Sequence, residues 1–130
     1  MTILEAIQNI DANKPNSYTQ TQKVKWLSTV DGIVFRDIIS QYYPCITEGG
    51  MQIPAFEGYT DDTDLSTELL VKEPYDEDLY FTWLESQIDY RNGDYAKYNN
   101  ATLRFNDMLN SFRNDYNRHH VHKQTRNTYY

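Results

Sequence analysis

Apolar residues recur every three or four positions in four stretches of the chain, the spacing that places side chains on one face of an α-helix. The first stretch opens at Thr2 with Glu5 three residues later, so that each side chain can bond a free backbone N–H of the other residue. The apolar residues that follow share one face, and they are Ile3, Ile7 and Ile10. Because Pro15 disfavours a helical backbone in the residue before it, we predict a helix over residues 3–12.

A second capping pattern, Thr19 with Gln22 three residues later, opens a longer amphipathic stretch. Its apolar face consists of Val24, Leu27, Val30, Val34 and Ile38. Pro44 and the turn-forming residues after it predict that this helix ends near Tyr42. Gly32 lies inside the helix, where glycine lowers stability by up to about 1 kcal/mol relative to alanine, and indicates the close approach of another helix.

Two further helices are predicted on either side of a turn at Asn92-Gly93. Pro74 suits the first helical position, and the acidic residues 76–78 place negative charge beside the positive end of the helix dipole. Gly93 predicts a left-handed stop for the third helix, and Asp94 predicts an N-cap for the fourth. The stripe of the third helix is Leu79, Trp83, Gln87 and Tyr90, widened by Tyr80, Leu84 and Ile88. That of the fourth is Tyr95, Tyr98, Ala101, Phe105, Met108 and Phe112.

These elements predict an all-α fold, a small four-helix bundle with a long, acidic, partly extended loop between the second and third helices. The body spans residues 1–118 and includes the loop at residues 44–73, which we expect to be ordered by contact because structureless loops beyond about 12 to 15 residues are uncommon. The fourth helix reaches about Arg118, roughly 37 Å at 1.5 Å per residue, and a polar tail follows at residues 119–130. The predicted core is Leu27, Val34, Ile38, Trp83, Tyr98, Phe105 and Phe112.

Charge is negative overall and unevenly distributed along the chain. The 130 residues have a formal net charge of -7, which disfavours a protein that grips nucleic acid through lysine and arginine. Twelve acidic residues lie between Glu48 and Asp89 against the single Lys72, whereas the segment from Arg113 onward has four basic residues against Asp115. The opposite signs of the middle and the end predict attraction between neighbouring subunits.

The aromatic and cysteine content narrows the protein class further. The chain has 12 tyrosines, whose apolar rings and polar hydroxyls suit surfaces that become buried on assembly. The single Cys45 excludes an internal disulfide, and the N-terminus has no apolar core of a signal peptide. No apolar run approaches the roughly 20 residues that span a bilayer. We therefore expect a soluble protein that is made in a reducing cytoplasm and makes no membrane contact.

Short motifs spread over nearly the whole chain carry a family resemblance. They are Lys14-Pro15-Asn16, Gln22 to Trp26-Leu27, DLSTELLV at 64–71, Glu73-Pro74-Tyr75-Asp76, WLESQIDY at 83–90, Asn92-Gly93, Tyr98-Asn99-Asn100, and Phe112 to Tyr116-Asn117-Arg118. On these motifs the chain resembles a family of small proteins encoded near the capsid genes of tailed bacteriophages and prophages of gut Firmicutes. It departs from that family in a longer segment at residues 45–54 and in a more polar, histidine-rich end.

The family is similar to head-to-tail connector, or adaptor, proteins, and this similarity implies a structural role in the virion neck rather than an enzyme. It implies a helical body that forms a ring below the portal, commonly with twelve copies, and a platform for the next neck or tail protein. Genomic DNA would pass through the channel without sequence-specific binding. A neck stopper or tail-completion protein is the alternative. A DNA-binding packaging or regulatory factor is less favoured, because no helix has a basic face.

Two surfaces are expected to make these contacts. In adaptors the C-terminal helix and tail dock onto the portal, which here implies docking by Arg113, Tyr116, Arg118, His119, His120, His122, Lys123, Arg126, Tyr129 and Tyr130. The acidic loop is expected to reach a neighbouring subunit through Asp61, Asp62, Asp64 and Glu68.

Metal binding and catalysis are the less favoured interpretations of these residues. The clustered aspartates of the loop suit a hard cation, but they lack the further oxygen ligands, the glycine and the late glutamate of an EF-hand. The three histidines of the tail lack a nearby carboxylate or thiolate to complete a structural site. No nucleophile is paired with a base and no Gly-rich phosphate loop is present, so we expect no catalytic residue, metal or cofactor.

Overall fold

The four amphipathic stretches form four α-helices in a computed structural model that describes residues 1–41 and 56–119. The helices are α1 (Ile3–Asn13), α2 (Gln20–Asp37), α3 (Asp76–Asn92) and α4 (Tyr95–His119), with a 3-10 turn at Ile39–Gln41. The described residues contain no strand, although Thr2 and Glu68 form one isolated antiparallel bridge. The fold is therefore all-α, a small helical bundle.

Local sequence signals predicted several helix ends correctly. Both capping boxes form, with the Thr2 and Thr19 hydroxyls each accepting a backbone N–H three residues later. Gly93 ends α3 in the left-handed region at φ +80°. Asp94 caps α4, because its Oδ1 accepts the Lys97 N–H at 3.3 Å. These signals act within four residues, so tertiary packing does not override them.

Two predicted boundaries were wrong, and both lie next to the long connection. The α-helix α2 ends at Asp37, with Ile38 as its C-cap and a 3-10 turn after it, so it is shorter than the predicted helix that ends near Tyr42. Tyr42 itself lies outside the described residues. Pro74 is not the first residue of α3. It follows a cis peptide bond in the preceding turn, and the helix begins at Asp76 with Tyr75 as N-cap.

The third helix is the centre of the fold. It contacts α1, α2 and α4, and its buried residues lie on several sides of the helix. By contrast, α4 packs against α3 alone among the helices, through the stripe of Ala101, Phe105 and Phe112. The four helices are thus a three-helix body plus one outer helix.

The structure confirms most of the predicted core. Five of the seven predicted residues are buried: Leu27, Val34, Ile38, Phe105 and Phe112. Trp83 is partly buried, packs on Phe105, and donates from Nε1 to the Trp26 carbonyl at 2.8 Å. Tyr98 lies outside the core and packs on the half-exposed Tyr90, because α4 has only α3 beside it near the turn.

The helices of the described residues also bear on membrane insertion. None of them combines the length and the apolar character that a membrane-crossing helix requires.

Candidate protein-interaction surfaces

A buried carboxylate fixes the acidic connection between α2 and α3. Asp31 is fully buried on α2, and it accepts hydrogen bonds from the Tyr59 hydroxyl at 2.5 Å, the Leu70 N–H at 3.0 Å and the Tyr80 hydroxyl at 2.5 Å. The Tyr80 hydroxyl in turn accepts the Val71 N–H at 2.9 Å. This cluster, which we name the Asp31 knot, joins α2, the connection and α3 at one point.

Burial dominates the electrostatics of the Asp31 knot. Removal from water raises the pKa of the Asp31 carboxyl, and the hydrogen bonds from Tyr59, Tyr80 and Leu70 oppose that rise. The pKa values of the two tyrosine hydroxyls are also raised, first by burial and then by the adjacent carboxylate. Because Asp31 is sealed from solvent, its hydrogen bonds hold the connection to α2 and α3 inside the fold.

Neither Asp31 nor its hydrogen bond with Tyr80 was predicted from the sequence. One signal was available: Asp31 lies four residues after Leu27 and three before Val34, so it shares their buried face. A carboxylate on an apolar stripe requires partners inside the fold. Those partners lie 28 and 49 residues away in sequence, at Tyr59 and Tyr80, so the spacing alone does not identify them.

The rest of the connection lies on α1 and α2. The first N–H groups of a helix have no acceptor within the helix. In α1, the N–H groups of Ile3 and Leu4 donate instead to the carbonyls of Thr67 and Leu65, at 3.1 and 3.0 Å. Phe56 stacks on Phe35 with ring centroids 6.2 Å apart. Gly32 therefore lies beside an aromatic ring of the connection rather than beside another helix. Residues 56–73, the described part of the predicted loop at 44–73, are held by contacts with the body, as predicted.

The structure does not gather the predicted intersubunit acids into one cluster. Asp61, Asp62, Asp64 and Glu68 are all exposed. Asp64 accepts the Ser66 N–H at 2.9 Å, and this hydrogen bond lowers the pKa of its carboxyl. Asp61 lines a groove beside α2, whereas Glu68 lies at the start of α1, 3.4 Å from the Met1 amino group. Within residues 1–41 and 56–119, no three His, Cys, Asp or Glu side chains are placed to hold a metal ion.

Glu68 belongs to a larger surface that the sequence did not predict, here named the acidic groove. It has a volume of about 850 Å³ and is lined by five carboxylates, by Lys72 and by the Met1 amino group. The carboxylates are Glu5, Glu68, Glu73, Asp76 and Glu77. Glu5 had been identified only as a helix cap, and the fold adds it to acids that lie more than sixty residues later.

The C-terminal end of α4 lies next to the acidic groove. A smaller pocket of about 330 Å³ joins the two, lined on one side by Lys72 and Glu73 and on the other by Asp115 and Tyr116. Ile39, Leu70, Tyr75 and Phe112 form the remaining wall. The C-terminal part of α4 and residues 72–73 of the connection are therefore neighbours at one end of the molecule, which we name the docking end.

The described residues of the predicted docking set differ in their burial and in their contacts with the body. Tyr116 is partly buried against Phe112, with ring centroids 5.7 Å apart, so it belongs to the body rather than lying beyond it. Arg118 and His119 both approach the Asp115 carboxylate at 3.5 Å, while Arg113 is half-buried. The remaining predicted residues lie outside the described residues: His120, His122, Lys123, Arg126, Tyr129 and Tyr130.

An ion-pair chain links α1, α3 and α4 on another side of the body. Lys14 contacts Asp89 at 2.9 Å and Glu85 at 3.8 Å, and Arg104 contacts Glu85 at 2.6 Å. Asp89 is buried, and its Oδ2 has no hydrogen-bond partner among the described residues. The chain of ion pairs secures α4 to α3 beyond the apolar stripe.

The chain has no match among protein families, curated proteins or solved structures.

Proposed function

We propose that the chain is a head-to-tail connector of a tailed bacteriophage, a ring-forming neck protein that binds the portal. Such a protein acts by binding other proteins, and the docking end is the feature that best supports the proposal. There a basic helix end, the half-buried Tyr116 and an apolar pocket lie beside an acidic groove. Such an end offers an aromatic anchor and charges of both signs, which are the usual components of a specific protein contact.

Each surface has a role in this proposal. The C-terminal turn of α4 and the tail after it bind the portal, while the acidic loop of residues 56–75 contacts a neighbouring copy in the ring. The ring extends the portal channel and offers a platform to the next neck or tail protein. An acidic wall of that channel would repel the DNA backbone, and the genome would slide through without sequence-specific contact.

A DNA-binding role has less support from the surface. The exposed face of α4, the longest helix described, has asparagine residues where a DNA-binding helix would present lysine and arginine. The neck stopper and tail-completion roles remain the alternatives within the same class, because they would use the same kinds of contact.

Binding to the purified portal ring tests the proposal. We expect the full chain to co-sediment with the portal, and we expect deletion of residues 119–130 to abolish this binding. Arg118→Glu should weaken binding, because it reverses a charge at the docking end. The matched control is Lys97→Glu: both basic residues lie 3.5 to 3.6 Å from an aspartate three residues earlier, but at opposite ends of α4.

Three results would contradict the proposal in different ways. Failure of the intact chain to bind any portal ring would remove the connector assignment. Binding that survives both the deletion and Arg118→Glu would keep a portal partner and reject the docking end. Equal losses in Arg118→Glu and Lys97→Glu would show a general charge effect rather than a docking contact.

A further inference from the structure

The outer face of α4 has a continuous uncharged stripe. Its members are all exposed and recur at spacings of three and four: Ala96, Asn99, Leu103, Asn106, Asn110, Asn114 and Asn117. At 100° per residue this set lies opposite the buried stripe through Phe105. It extends over roughly 32 Å at 1.5 Å per residue. We name it the asparagine face.

The composition of the asparagine face differs from that of an ordinary solvated helix surface. Exposed helix faces usually have charged residues, and asparagine is a poorer helix former than lysine or glutamate by a few tenths of a kcal/mol per residue, or roughly 2 kcal/mol over five positions. The charged residues of α4 all lie outside the stripe, with Asp107 and Arg113 next to its two edges. They are Lys97, Arg104, Asp107, Arg113, Asp115 and Arg118. Leu103, the large apolar residue of the asparagine face, is 63% exposed.

We infer that the asparagine face is where a second copy of this chain packs, α4 against α4, in the free protein. Two copies with a net charge of -7 repel each other over most of their surface, and this stripe lets them approach without charge repulsion. The chemistry is also self-complementary, because each asparagine amide both donates and accepts hydrogen bonds. Within the described residues, the only hydrogen bond to these amides is the one that Arg113 donates to Asn110 Oδ1 at 3.5 Å.

Two-fold symmetry makes the paired helices antiparallel. With the axis near Asn106, Leu103 of one copy faces Asn110 of the other. Tyr95 and Arg113 lie on the same flank of the stripe, so the aromatic start of one helix lies along the basic part of its partner. The area is small, on the order of 1,000 Å² in total, so pairing should be weak, with a Kd in the micromolar range or above.

This pair is separate from the ring of the proposed function. A contact that uses the same face on both copies closes as a dimer, whereas a ring needs two different faces. Pairing through the asparagine face leaves the pocket at the docking end uncovered, because the α4 residues that line it, Phe112, Asp115 and Tyr116, lie on the other side of the helix. The inference therefore holds or fails without the portal.

Sedimentation equilibrium of the full chain between about 5 and 500 µM, a range that brackets a micromolar Kd, tests the pairing. We expect the average mass to rise from monomer toward dimer. Asn106→Glu with Asn110→Glu should abolish the rise, because like charges then face each other, while the better helix propensity of glutamate keeps α4 folded. The matched control is Gln20→Glu with Thr21→Glu, two exposed positions in the first turn of α2, which should pair like wild type.

A gain-of-function variant tests the register. Asn110→Leu places an apolar side chain against Leu103 of the other copy twice per dimer, and pairing should tighten by about tenfold or more. Circular dichroism of each variant confirms that the helices are retained. A chain that stays monomeric at the highest concentration overturns the inference. So does a dimer that the Asn106→Glu, Asn110→Glu and Asn110→Leu substitutions leave unchanged.

Discussion

The acidic connection and α4 are attached to the body in opposite ways. Residues 56–75 contain no helix, yet they are held by the Asp31 knot, by bonds to the start of α1 and by the Phe56 ring. The regular helix α4 touches one neighbouring helix and buries three of its 25 residues. Regular secondary structure is therefore a poor guide to how firmly a segment is integrated. The irregular segment is part of the core, and the helix is the accessible surface.

Removing the centre of the Asp31 knot should have the largest effect on stability. Asp31→Ala leaves the Tyr59 and Tyr80 hydroxyls and the Leu70 N–H without their acceptor, and should lower the free energy of unfolding by about 3 to 5 kcal/mol. Urea unfolding measures the loss. Asp61→Ala, at an exposed aspartate of the same connection, should change stability by less than about 0.5 kcal/mol. Equal effects of the two would show that the connection is not part of the core.

Loosening the outer helix should have a smaller and more local effect. Phe105→Ala removes a buried ring from the contact between α3 and α4, and should cost about 3 kcal/mol. Hydrogen exchange should accelerate along α4 before it accelerates in α1 and α2. Leu103→Ala, on the exposed side of the same helix, is the control and should leave exchange unchanged in dilute protein. Uniform acceleration across all helices would contradict a separately attached α4.

The pH dependence of stability should report the burial of Asp31. The pKa of Asp31 is higher in the folded chain than in the unfolded chain, so protonation of Asp31 stabilises the fold. This added stability is complete below the unfolded-state pKa, and it is lost as pH rises through the folded-state pKa. Relative to Asp31→Asn, the wild type should therefore lose stability from about pH 4 upward, by about 1.4 kcal/mol for each unit of pKa shift. Urea unfolding between about pH 4 and 7 measures the difference. A constant difference over this range would show that Asp31 does not titrate as a buried group.

Glycine substitutions should give the smallest effects and distinguish the two glycines near Phe56. Gly58 has φ +84°, and an added Cβ would lie 2.8 Å from the Ser28 hydroxyl, so Gly58→Ala should destabilise by more than about 1 kcal/mol. Gly32 is helical, and its added Cβ would make ordinary contact with Phe56 at 3.9 Å. Gly32→Ala should therefore stabilise by about 0.5 to 1 kcal/mol. Thermal unfolding compares the two, and the same sign for both would contradict the structure of the connection.

The parts of the fold that sequence predicted are those set by neighbouring residues. Both capping boxes, the Gly93 stop and the apolar stripe through Phe105 follow from spacings of three and four. The Asp31 knot and the acidic groove did not follow, because each joins residues from distant segments. Tyr98 failed for a related reason: its position on the stripe is correct, but no second helix covers it.

Electron cryomicroscopy of the assembled particles that contain this chain tests the connector proposal most directly. The proposal predicts a ring of copies below the portal, with the C-terminal end of α4 and the Tyr116 pocket against portal density. It also predicts the acidic loop of each copy at the boundary with its neighbour. Particles whose neck lacks the chain, or a ring in which the Asn92-Gly93 turn between α3 and α4 meets the portal, would contradict it.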